Sequence, residues 1–275
     1  MKSTILTSLL ATILFLLPDL LTAQNKTSCS QLDGVWEYDL PDARGMWFSK
    51  EGRYLWVVFP KERKTFAGES PTIEEEAEAF GEINVSTGTW KCEEQRATVT
   101  QLYIKNPAQA GQTFQFDFEV IGDKAKYWVL QADGSRGPEG NFHKIGDFGK
   151  PNKENCGTAD GFWEYELPDQ YGISALAGGY FGWILVEKAW WDGQTDWSTA
   201  EGKAAAFDKI TTATGSYSCD QQGRPHWKNL HAKDYRVEGQ SFATENELQG
   251  GNIQFWFLDA EGKRNGGGGK AKRLK

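Results

Sequence analysis

The chain has 275 residues, 39% of them hydrophobic, and a formal net charge of -8. That length accommodates two ordinary domains, and an acidic balance with no basic stripe excludes nucleic acid as a partner. Four cysteines without a C-x-x-C spacing, and only three histidines, point to no metal, and no cofactor is expected.

Lys2 precedes an apolar run, ILTSLLATILFLLPDLLTA, followed by polar QNKTS. This is the layout of a secretory signal over residues 1–23, with Ala23 as the small residue at the cleavage point. A membrane anchor is the alternative, but Pro18 and Asp19 leave the stretch short of the ~20 apolar residues that a spanning helix needs. No other segment is apolar enough to span, so no stable membrane span is expected once the signal is removed. Lys26-Thr27-Ser28 before Cys29 lacks the apolar residue of a lipid-attachment signal.

DGVWEYDLPD at 33–42 returns as DGFWEYELPD at 160–169. The match continues past these residues: GRYLWVVF faces GYFGWILV, EEEAEAF faces EGKAAAF, TGTWKC faces TGSYSC, and YWVLQADGSR faces FWFLDAEGKR. The chain is read as a tandem duplication, with copies at 24–148 and 149–275 and GDFGKPNKEN (146–155) as the connector. The repeat aligns Cys29 with Cys156 and Cys92 with Cys219. Of the three possible connectivities, this favours Cys29–Cys92 and Cys156–Cys219, each contributing roughly 4 kcal/mol in the chain-entropy model. Such pairs fit an oxidising, secreted or periplasmic compartment.

Within each copy the periodicity is mostly two. FQFDFEV alternates Phe114, Phe116, Phe118 and Val120 with polar residues, the mark of a strand with one buried face. WEYDL, RYLWVVF, ATVTQLYI and KYWVLQ behave alike, separated by turns such as ADGS and DAEGK. TIEEEAEAF reads as a helix opened by a Thr72-x-x-Glu75 capping box, and STAEGKAAAF is its counterpart. NGGGGK at 265–270 reads as a flexible hairpin turn before the last strand. The expected fold is mainly β: two tandem antiparallel barrels, each with one short helix. The aromatic load, 12 Trp and 16 Phe, would line a cavity or fill a solid core.

Gly34-Val35-Trp36 and Gly161-Phe162-Trp163 open the first strands, Trp56 and Trp183 lie in aromatic strands, helices end at Phe80 and Phe207, TGTW and TGSY follow, and Lys144 and Arg273 sit in the closing strands. This series resembles the bacterial and fungal lipocalin-like domains of the calycin group over nearly the whole of both copies. The resemblance implies that the first-strand Trp closes the narrow end of each barrel and that Lys144 packs on Trp36 and Arg273 on Trp163. It also marks a departure, since Gln101 and, by a looser alignment, Asn229 stand where such domains often carry His. An amide cannot shuttle a proton near neutral pH.

The copies differ on the face expected to point inward: Phe116 and Phe118 become Thr244 and Asn246, and Leu55 becomes Gly182. Smaller, more polar side chains open a cavity, so a small apolar or amphipathic molecule is expected in the second barrel, contacting Trp183, Thr244, Asn246, Trp256, Asn229, Trp190 and Trp191. Two other readings stay open. A cyclase- or isomerase-type enzyme needs Glu245, Glu247, His226 or Asp117 to point inward. A carbohydrate- or protein-binding module would use exposed Trp190, Trp191 and Trp197, rimmed by Asp192, Gln194 and Asp196.

Overall fold

A computed structural model describes residues 29–68, 70–149, 159–193 and 198–275. The stretches of alternating polarity form strands. In the first copy these are β1 (Gly34–Asp39), β2 (Ala43–Lys50), β3 (Arg53–Pro60), β4 (Asn84–Glu93), β5 (Arg96–Ile104), β6 (Thr113–Ile121), β7 (Lys124–Leu130) and β8 (Arg136–Gly146). Each pairs antiparallel with the next, and β8 returns to β1 to close an eight-stranded barrel. The second copy repeats the circuit with β9 (Gly161–Tyr165), β10 (Gln170–Ala177), β11 (Tyr180–Glu187), β12 (Ile210–Cys219), β13 (Pro225–Ala232), β14 (Ser241–Gln249), β15 (Asn252–Leu258) and β16 (Arg264–Leu274). The protein is thus two closed antiparallel barrels in tandem, and closure leaves neither sheet an open edge.

The helix α1 (Ile73–Glu82) starts at the expected capping box: Thr72 Oγ1 accepts from the Glu75 amide at 3.2 Å, and Glu75 accepts from the Thr72 amide at 2.8 Å. One helix per copy is too few for the second barrel, where the residues KAWWD add a one-turn helix, α2 (Lys188–Asp192), before α3 (Ala200–Lys209). Both long helices end against a lysine from the following hairpin. Lys105 Nζ donates to the Phe80 and Gly81 carbonyls at 3.1 Å, and Lys233 Nζ donates to the Phe207 carbonyl. The cation satisfies carbonyls that the helix leaves unpaired and opposes its dipole.

The glycine run at 265–270 is strand, not turn. Gly269 pairs with Phe255 and Gly268 with Trp256 in the β15–β16 ladder. A Cβ on Gly268 would lie 2.2 Å from the Phe255 carbonyl oxygen, and one on Gly269 would lie 3.0 Å from the Phe255 ring. The first barrel has the same arrangement at Gly140, whose added Cβ would sit 2.2 Å from the Tyr127 ring. The glycines are therefore occupied by a neighbour's bulk, a role that periodicity and turn chemistry do not show.

Each barrel is closed at one end by its first-strand tryptophan. Trp36 Nε1 donates to the Leu32 carbonyl at 2.8 Å and Trp163 Nε1 to the Ala159 carbonyl at 2.7 Å. Lys144 Nζ stands 5.6 Å from the Trp36 ring centre, and the Arg273 guanidinium 4.8 Å from that of Trp163. Each cation–π contact is worth about 1 kcal/mol. The Cys29–Cys92 disulfide ties the turn carrying Leu32 to β4. Cys219 is disulfide-bonded as well, while Cys156, its expected partner, lies outside the described residues.

Strand alternation sends the other faces of β2, β3, β10 and β11 into a seam between the barrels, and the largest buried apolar cluster lies there. Here the expected inward position of Leu55 and Gly182 is corrected. Trp56 and Trp183 point into their barrels, so their neighbours Leu55 and Gly182 must point out, and they meet each other across the seam. A Cβ on Gly182 would lie 2.9 Å from the Phe48 ring and 3.0 Å from Leu55 Cδ2. Phe48 and Leu55 are ladder partners in the first barrel, as are Ala175 and Gly182 in the second; a large pair sits against a small pair.

Polar groups flank this core. Glu238 accepts from Arg44 at 3.0 Å and Arg63 at 3.1 Å, and Arg63 also donates to the carbonyls of Ala232 and Lys233. His231, tilted 6.3 Å from the Phe59 ring, lies beside these charges. Burial, reinforced by Arg44 and Arg63 and opposed by Glu238, pushes its imidazole down to about 4.

Gly182→Leu, which forces a side chain into Phe48 and Leu55, is expected to destabilise the protein by about 1–3 kcal/mol, read as a lowered urea midpoint; an unchanged midpoint would show a loose seam. Between pH 6.5 and 4 the unfolded chain protonates His231 while the folded one does not, so stability falls as pH falls through that window. Its partial exposure discounts the effect to roughly 1–2 kcal/mol. His231→Leu should remove that part of the slope in urea titrations at pH 7 and pH 4.5.

Candidate functional site

The two barrel interiors are built on the same ladders but filled differently. Trp47 pairs with Trp56 in the first barrel, and Ser174 pairs with Trp183 in the second. Phe116–Val129 and Phe118–Tyr127 correspond to Thr244–Phe257 and Asn246–Phe255, and Ala125–Phe142 corresponds to Ile253–Ala271. Four large aromatic side chains, Trp47, Phe116, Phe118 and Phe142, thus give way to Ser174, Thr244, Asn246 and Ala271. Val99→Trp227 restores part of that bulk. The first interior retains about 50 Å³ of free space, whereas the second encloses about 390 Å³.

Trp163, Leu176, Phe181, Ile253 and Ala271 form the buried floor and lower wall of the larger cavity, while Leu167, Gln170, Thr211, Phe257 and Gly268 form a more exposed rim. One wall is a cluster of four rings. Phe181 stacks on Trp183 at 4.9 Å, Trp227 stacks on Phe242 at 6.0 Å, and Phe181 meets Trp227 edge-on at 5.2 Å. Trp227 Nε1 donates to Thr244 Oγ1 at 2.9 Å, which locks the ring. Opposite, Tyr165 meets Phe255 edge-on at 5.8 Å, and its hydroxyl, pushed up by burial, is hydrogen-bonded to Ser174.

Among the described residues, no Asp, Glu, Lys, Arg or His lines this cavity. Its buried polar atoms without a hydrogen-bond partner include Trp183 Nε1 and Asn246 Oδ1. An uncharged, aromatic lining with few polar groups suits a neutral, largely apolar molecule, because an ion would lose its hydration without gaining a partner.

No family model matches this chain, and no curated protein does either. Among solved structures, an uncharacterized protein from Saccharomyces cerevisiae is similar over 88% of this chain and 97% of its own, at 10% identity and a TM-score of 0.46.

Of the residues expected around a ligand, Trp183, Thr244 and Asn246 lie together on the cavity wall. Trp256 does not: it faces outward, with the Arg264 guanidinium 3.6 Å from its ring centre. Arg264 also binds Glu245 at 2.8 Å and Glu247 at 2.7 Å. The first barrel carries the same outer clasp, where Arg136 lies 4.4 Å from the Trp128 ring and 2.9 Å from Asp117. Asp117 also binds Arg96 at 2.8 Å, and these two arginines hold its carboxyl below the usual range. Asn229 is buried outside the lining, its amide donating to the Val237 carbonyl at 3.3 Å within the β13–β14 connection. Trp190 belongs to the seam core, and Trp191 packs edge-on against Tyr103 at 5.4 Å. Gln194, Asp196 and Trp197 lie outside the described residues.

The enzyme reading required Glu245, Glu247, His226 or Asp117 inside a barrel. The three carboxylates are engaged in the outer clasps, and His226 Nε2 pairs with Asp220 at 3.3 Å on an exposed side chain. Ser174, Phe181, Trp227, Phe242 and Ala271 are among the lining residues that sequence reasoning missed. Extending the copy-to-copy comparison through Trp47 and Phe142 would have revealed Ser174 and Ala271. Thr244→Val keeps the volume of the side chain but leaves the Trp227 indole N–H unpaired. The expected cost is about 1–3 kcal/mol, measured by urea denaturation; no loss would show that the bond does not hold the ring.

Proposed function

We propose that the protein is a lipocalin-like carrier that holds a small apolar or amphipathic molecule in its second barrel, with the first barrel as a solid partner. The observation that carries this reading is the contrast between interiors: about 390 Å³ of uncharged, aromatic-lined space in one barrel against about 50 Å³ in its duplicate. The larger value lies within the roughly 300–1,000 Å³ of small-molecule pockets. Maintaining such a void costs packing energy, which an occupant would offset. The Cys29–Cys92 disulfide supports action in an oxidising compartment outside the cytoplasm, in keeping with the secretory signal expected at 1–23.

The test is titration with N-phenyl-1-naphthylamine, a neutral dye that fluoresces in apolar surroundings. The wild-type protein should bind it at one site. Ser174→Trp restores the filler that the first barrel carries as Trp47 and should weaken binding at least about tenfold while leaving the barrel folded. Equal binding by wild type and Ser174→Trp would place the dye elsewhere and end this reading.

A further inference from the structure

Asn246 is the feature of the cavity that simple carriage of an apolar molecule leaves unexplained. A plain apolar container would be better served by Leu or Val at this position, because a buried amide oxygen without a partner costs about 1–3 kcal/mol. Asn246 Oδ1 is buried and unpartnered, and it stands where the first barrel has the fully apolar Phe118, paired with Tyr127 as Asn246 is paired with Phe255. Trp183 Nε1 is also unpartnered, but so is Trp56 Nε1 at the matching position of the filled barrel. The free indole N–H therefore belongs to the duplicated barrel pattern, whereas among the described residues that line the cavity Asn246 alone carries a buried, unpartnered amide oxygen.

Resting on the carrier reading above, we infer that the second barrel selects a neutral, planar ring system whose edge presents a hydrogen-bond donor next to an acceptor, as in a lactam, to Asn246. A primary amide holds its acceptor and donors in one plane. A ligand edge with both functions satisfies it in either orientation of the amide, so the match does not depend on which terminal atom is oxygen. Planarity follows from the wall: the stacked pairs Phe181–Trp183 and Trp227–Phe242 present rigid ring surfaces, which favour offset or edge-on contact with another ring. Neutrality follows from a lining that, among the described residues, has no charged side chain. A site with a buried polar group discriminates strongly against a ligand that leaves it unpaired.

Calorimetric titration with 2-quinolinone and with naphthalene, the same bicyclic skeleton without the donor–acceptor edge, tests this on the whole protein. Both should bind wild type, 2-quinolinone about tenfold more tightly, and Asn246→Leu should abolish that preference, bringing the two affinities together through a selective loss of 2-quinolinone binding. Asn246→Val serves if the leucine variant does not fold, and the wild-type comparison needs no variant. Equal affinities in wild type, or an equal loss of both probes in Asn246→Leu, would overturn the assignment while the cavity remains a binding site. If neither probe binds and the naphthylamine dye also fails, the carrier reading falls and this inference with it; if the dye binds and neither bicyclic probe does, this inference alone falls.

Discussion

The packing of Phe48 and Leu55 against Ala175 and Gly182 is the contact on which the molecule's organisation rests. A strand in a closed barrel has two faces, one for its own interior and one for whatever lies outside. In β2, β3, β10 and β11 that outside is the other barrel, so both faces are apolar and the alternation of a half-exposed strand disappears. The seam holds the largest buried cluster. The barrels are thus two lobes sharing a third core, and neither copy would retain that packing if separated.

Duplication explains how the seam could become so close. When equivalent surfaces of two equal copies meet, equivalent residues face each other, and a large side chain meets its own image. Once the copies lie in one chain, each side of the contact can change independently. One side now carries Phe48 and Leu55, and the other Ala175 and Gly182. The same freedom shows in the interiors, where the first barrel has Trp47, Phe116, Phe118 and Phe142 and the second has smaller residues at all four positions. Stability gained from a filled lobe and a tight seam permits an unfilled lobe, because the marginal stability of a domain leaves little room for a void unless other parts of the fold offset it.

Much of this was legible in the sequence. The repeat, the strand periodicity of FQFDFEV and the capping box at Thr72 each follow from local chemistry or from comparing one copy with the other, whereas the packing of Lys144 on Trp36 and of Arg273 on Trp163 was expected only from the resemblance to lipocalin-like domains. Legibility ended where a residue's role depends on which side of a strand faces what. Leu55 and Trp56 are adjacent and cannot both point inward, yet both are apolar because both faces are covered. Trp256 looks like cavity lining until Arg264 is seen over its outer face, and Trp190 looks exposed until the first barrel is placed against it. Ser174 was hidden for a simpler reason: a small polar residue attracts attention only when its counterpart, Trp47, is known to be a filler.

The glycines of β16 give the cavity two walls of unequal thickness. On the side of Phe181, Trp183, Trp227 and Phe242 the wall is interlocked rings, one of them tied to Thr244, and its shape is set. On the side of β16, residues Gly266–Gly269 place bare backbone between cavity and solvent, and Gly268 itself lines the space. The ladder to β15 holds that backbone in place, so the thin side owes its shape to main-chain pairing and not to packed side chains. The cavity thus has two unlike sides, and an occupant of the kind proposed would meet a fixed aromatic face on one and bare backbone on the other.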